Sequence, residues 1–135
     1  VNGEAAAVAL DVHEQHDRLR SMLARLDAEA ERVVRGETRL RAHVHRLFDA
    51  VEPELVAHLA FEEAALARTG DAAFARICAR HAGQRDELAR LARDVACADD
   101  EITLALELRA FVADLLLDMD AEDRAFAARR GTETT

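Results

Sequence analysis

The sequence predicts an all-α protein, an up-down-up-down bundle of four helices, and three observations lead there. Only one proline and five glycines interrupt its 135 residues. Half of the residues are apolar and a third are charged, with alanine and leucine predominant, which is the usage of long amphipathic helices rather than of a sheet protein. Apolar side chains recur at steps of three and four along four stretches, and short polar or glycine-bearing breaks separate them. Short breaks between long helices make sequential helices antiparallel neighbours. A single domain is expected over residues 1–135, because this length closes one hydrophobic core without staples.

The first helix is expected from Glu4 to about Val34, with Val12, Leu19, Leu23 and Leu26 on its buried stripe and His16 inside that stripe. Gly36 breaks the pattern. The second helix is expected from Glu37 to about Ala67, through Leu40, Val44, Leu47, Val51, Leu55 and Leu66, with His58 and Glu62 in the remaining slots. Pro53 removes one backbone donor, so a kink or a loosened turn is expected just before His58. Thr69, Gly70 and Asp71 then make a turn in which Gly stops one helix and Asp caps the next.

The third helix is expected to run to about Val95. Its stripe is Phe74, Ile77 or Cys78, His81, Leu88, Leu91 and Val95, so a histidine again stands where an aliphatic belongs. After the polar loop Ala98, Asp99 and Asp100, the fourth helix is expected from Glu101 to about Arg129. Leu104, Leu108, Phe111, Leu115 and Phe126 form its stripe, and Asp118 and Glu122 fill the gap in it. The end of the chain, from about residue 130, is expected to fray.

A formal charge of -9 argues against nucleic acid or an anionic membrane surface as partner, since both would be repelled. Small molecules or proteins fit better. Cys78 and Cys97 have neither metal-type spacing nor the look of a disulfide framework, which fits a reducing cytoplasm. No basic start leads into a sustained apolar run, and no stretch of about eighteen apolar residues occurs, so neither a signal peptide nor a membrane span is expected.

Chemistry concentrates at one level of the bundle. Counted from the helix ends that an up-down arrangement brings together, His16, His58, His81 and Asp118 lie nine to eleven residues deep, which is roughly 15 Å at 1.5 Å per residue. Glu62 and Glu122 follow His58 and Asp118 by one turn and share their faces. One buried histidine is ordinary. Three imidazoles and three carboxylates in one layer carry a desolvation penalty that bound cations relieve most simply, and carboxylates and histidines from facing helices are how di-iron bundles hold their metals. A metal-free polar layer is the competing reading.

The order His16, then His58 with Glu62, then His81, then Asp118 with Glu122 resembles the hemerythrin-like HHE cation-binding domain family, whose pattern runs H, HxxxE, H, HxxxE over a four-helix bundle. HDRL after His16, HLAFEE in the second helix and HAGQR in the third agree with it. The resemblance implies that His16, His58, Glu62, His81 and Glu122 are metal ligands. At Asp118 the chain departs from the family, which has histidine there, and Asp118 is retained as a terminal ligand on the strength of its position. A second departure separates it from the oxygen carriers, whose third helix carries HxxxH: here the partner of His81 would have to be Arg85 or Ile77. The resemblance further implies two non-haem iron ions, with zinc or manganese suiting the same donors. Glu62 and Glu122 are then placed to bridge metals about 3.5–4 Å apart.

The function implied is an oxidoreductase reacting with dioxygen or peroxide, of the oxidase, oxygenase or peroxide-decomposing kind, with a small-molecule substrate allowed. The alternative is a non-catalytic module that binds, stores or senses oxygen or iron. A metal-free helical interaction domain is the third reading. His13 and Arg85 are candidates to support the ligands from outside, with Arg85 expected level with Glu54 and Asp114 in an ion-paired second layer. Glu63 is expected to face out or to support the site. Asp120 and Asp123 are expected on a solvated face, although Asp123 also fits a terminal aspartate of the hemerythrin pattern.

Overall fold

The computed structural model describes residues 2–40, 43–70, 72–97 and 99–133. They form α1 (Asn2–Val34), α2 (Val44–Thr69), α3 (Phe74–Cys97) and α4 (Glu101–Glu133), with no strand among them. Each helix packs on its neighbour in sequence, and α1 closes the ring against α4 along the most extensive seam, while the α3–α4 seam is the thinnest. The result is the four-helix bundle that the periodicity predicts. No helix of the described residues is long and apolar enough to cross a membrane.

Chain breaks are made by local chemistry. Gly36 adopts φ 74, the left-handed conformation that costs glycine nothing, and Gly36 N–H donates to Val33 O while Glu37 N–H donates to Arg32 O. This is a Schellman stop. Residues 37–40 are not helical, and α2 starts at Val44 and not at Glu37. Leu40 is buried as expected, but from that stretch, where its carbonyl accepts from His45 N–H. Gly70 ends α2 in the same left-handed way, whereas the cap expected at Asp71 lies outside the described residues. Asp100 caps α4 by accepting from Thr103 N–H at 3.0 Å and from its hydroxyl at 2.7 Å. The helix runs on to Glu133, past the expected stop near Arg129; Thr134 and Thr135 lie outside the described residues. Helix α2 continues unbroken through Pro53, whose side chain faces solvent.

The main apolar core runs from Leu19 to Val33 on α1, through Phe48 and Leu55 on α2 and Leu88 and Leu91 on α3, to Leu108 and Met119 on α4. Beyond it, towards the start of α1 and the end of α2, a smaller group of Ala9, Val12, Ala65, Leu66 and Ile77 is also buried. Between these two apolar regions sits a polar layer.

Candidate metal centre

Five polar residues are buried in that layer: His16 from α1, His58 and Glu62 from α2, His81 from α3 and Glu122 from α4. The i, i+4 relation turns His58 and Glu62 to the same side of α2, and His58 Nε2 approaches Glu62 Oε2 to 2.9 Å. His16 Nε2 lies 3.0 Å from His58 Nε2. It is also 3.2 Å from Glu122 Oε2 and 3.6 Å from Glu62 Oε2. His81 Nε2 faces the other oxygens, 3.6 Å from Glu122 Oε1 and 4.0 Å from Glu62 Oε1.

Every imidazole is held from behind by its Nδ1. That atom of His16 is 2.7 Å from Asp123 Oδ1, and Asp123 in turn accepts from Arg20 at 2.5 Å. On His81 it is 3.3 Å from Glu63 Oε1, and Glu63 takes a two-pronged pair from Arg85 at 2.8 and 2.7 Å. The Nδ1–H of His58 donates to Gln15 Oε1 at 2.8 Å. Fixing one ring nitrogen in this way sets the tautomer that leaves Nε2 free to face the centre.

Arg85 therefore supports the layer through Glu63 and not through Glu54 or Asp114; Glu54 pairs with Arg18 instead. Asp123 is not on a solvated face. Its carboxylate, 20 % exposed, is the link between Arg20 and His16. His13 touches the outside of this link, 3.6 Å from Asp123 Oδ2 and mostly in solvent. Asp123, which fits a terminal aspartate of the pattern, instead holds His16 from behind, and Gln15 and Arg20 carry no sequence signal because each lies one residue from a stripe position and points sideways along the layer.

Asp118 stands apart from the five. It is half-buried, accepts from Gln84 and lies 3.4 Å from Arg80. Cys78 is a free, half-buried thiol, with burial pushing its pKa up, so it is not poised as a thiolate.

The donor set fits a cation. One atom each from His16, His58, Glu62 and Glu122 lies within 4.8 Å of the others, close to twice a metal–ligand bond of about 2.0–2.2 Å. Both Glu62 oxygens and His81 Nε2 are buried without an aligned hydrogen-bond partner among the described residues, an omission that costs about 1–3 kcal/mol per group in a metal-free core. Electrostatics agree. Burial opposes a charge on His16, yet the Glu122, Glu62 and Asp123 carboxylates override it and push its pKa up to about 10. Burial likewise works against the Glu62 carboxylate, but His16 and His58 beside it hold its pKa well below the usual range. His81 is raised as well, against burial, by Glu122 and Glu62. Without a metal the layer keeps protons where positive charge is wanted.

A family model described as the hemerythrin HHE cation-binding domain matches residues 10–129. No curated protein and no solved structure matches the chain.

Proposed function

Since the chain belongs to the hemerythrin HHE cation-binding domain family, we propose that it holds two non-haem iron ions and reacts with dioxygen or peroxide as an oxidoreductase. The observation that carries this reading is how the two buried carboxylates divide their oxygens. The Oε2 atoms of Glu62 and Glu122 turn to His16, and that of Glu62 also to His58, whereas both Oε1 atoms turn to His81. Two carboxylates spanning two groups of imidazoles are what a bridged pair of cations needs.

His16 and His58 would hold one ion and His81 the other, with Glu62 and Glu122 shared between them. When bound in the ferrous state, two such ions would supply one electron each for a two-electron reduction of dioxygen or peroxide. The chain's own residues do the rest. Asp123, Gln15 and Glu63 aim the imidazoles, and Arg20 and Arg85 keep the two acids, Asp123 and Glu63, ionised and in place. The apolar residues above and below exclude water, which strengthens every charge interaction within the layer. Burial of all five donors favours a small inorganic reactant over a bulky organic one.

Metal analysis by mass spectrometry, with absorption spectra before and after peroxide, tests the proposal. About two irons per chain and consumption of peroxide over repeated additions are expected. Reversible oxygen binding without consumption would favour a carrier or sensor instead, and absence of metal from iron-replete material would overturn the cation reading.

A further inference from the structure

We infer that the cleft between α3 and α4 is the route by which a small ligand from solution reaches the centre on its His81 side, with Ala121 and Ala125 limiting its size and Arg76 favouring an anion. The inference rests on the reading of the buried layer as a cation centre. Along this thinnest seam of the bundle lies a cavity of ≈ 150 Å³, walled by Arg76, Ile77 and Arg80 from α3 and by Ala121, Glu122 and Ala125 from α4. That volume admits a ligand of a few atoms. Glu122 belongs both to this wall and to the buried layer, and at 7 % it is the most exposed of the five, with His58 at 5 % and the other three at none. Arg80 also borders a larger outer groove of ≈ 370 Å³ on the same seam, so that groove and cavity adjoin at this residue.

The donors are fewest on the side this cavity approaches. His16 and His58 serve one side of the two carboxylates, but His81 alone serves the other. Asp118, which could have added a donor from α4, is engaged by Gln84 and Arg80. A coordination position is left for an outside ligand next to the wall that opens. Ala121 and Ala125, small residues on the exposed side of α4, leave the passage open where a leucine would narrow it. The charged lining of the cavity is Arg76, Arg80 and Glu122, while the outer groove adds Glu87, Asp114 and Asp118, so Arg76 is the group that favours an anion. Arg76 is exposed and has no ion-pair partner among the described residues, and Arg80 has only the 3.4 Å approach to Asp118.

The test uses the iron-loaded full chain, with azide as a triatomic anionic probe of the ferric form and nitric oxide as a neutral probe of the ferrous form, both followed by stopped-flow absorption. Ala121→Leu and Ala125→Leu are expected to keep the helical content, melting temperature and iron content of the parent, while slowing azide association by at least about tenfold, within the spread that variants of one site show. Ala113→Leu, on the same helix but outside the cavity wall, is expected to leave the rate alone. Arg76→Gln is expected to slow azide but not nitric oxide, and the effect should vanish at high salt. Parental azide rates in both cleft variants would overturn the route, and equal slowing of both probes by Arg76→Gln would overturn the role of charge. A chain that takes up no iron would sink the cation reading and this inference together, whereas an iron-loaded chain indifferent to the cleft sinks the inference alone.

Discussion

Glu62 concentrates the physical tension of the site, because it is fully buried with both oxygens lacking an aligned partner. Glu62→Gln keeps the shape and removes the charge. Cation affinity is expected to fall by at least about tenfold with helicity retained, as read by metal titration under circular dichroism control; undiminished uptake would contradict a ligand role. Arg85 acts one step further out, through Glu63. Arg85→Leu is expected to weaken metal retention by about 10–100-fold, the usual cost of removing an outer support, although the guanidinium touches no donor of the layer. His16 gives a pH signature to the metal-free protein. Its folded pKa of about 10 lies above the ordinary value of 6.5, so its contribution to stability is complete below about 6.5 and is lost as pH rises towards 10. Chemical denaturation of metal-free protein across that window should show the decline, and metal-loaded protein, with His16 already deprotonated, should not.

Among the elements, α4 shows one stripe in its sequence but is buried more widely, since Ala105, Val112 and Met119 join Leu104, Leu108 and Leu115. A helix wedged between two neighbours shows weak periodicity, which is why Leu108 was legible and Met119 was not. Leu108→Ala, at 0 % exposure, is expected to cost about 2–5 kcal/mol in denaturant unfolding while leaving metal stoichiometry unchanged. At α2 the three-and-four spacing carries from Leu40 into Val44, so the periodicity starts the helix at Glu37, whereas residues 37–40 are not helical. Hydrophobic spacing reports burial, and a buried loop leucine mimics a helical one. The inward-facing residues of the layer were legible because each breaks an apolar stripe at a common depth. The sideways supports Gln15 and Arg20 break no stripe, and Asp123 was legible only as a candidate ligand; only the packing of α1 on α4 and α2 shows what the three hold.

At the scale of the whole molecule, a polar layer divides the apolar interior into a large and a small part, and ions would tie all four helices together through it. A cation that binds only the folded chain stabilises it by mass action, about 2.7 kcal/mol at a hundredfold excess over the dissociation constant. Chelation is therefore expected to lower the melting temperature by several degrees, and readdition of iron to restore it. The most direct measurement is anomalous X-ray scattering at the iron edge from crystals of protein loaded with ferrous iron. Two peaks about 3.5–4 Å apart, one beside His16 and His58 and the other beside His81, with Glu62 and Glu122 between them, are the expected result. Iron bound only at surface acids, or a layer filled by water and protons alone, would contradict the account.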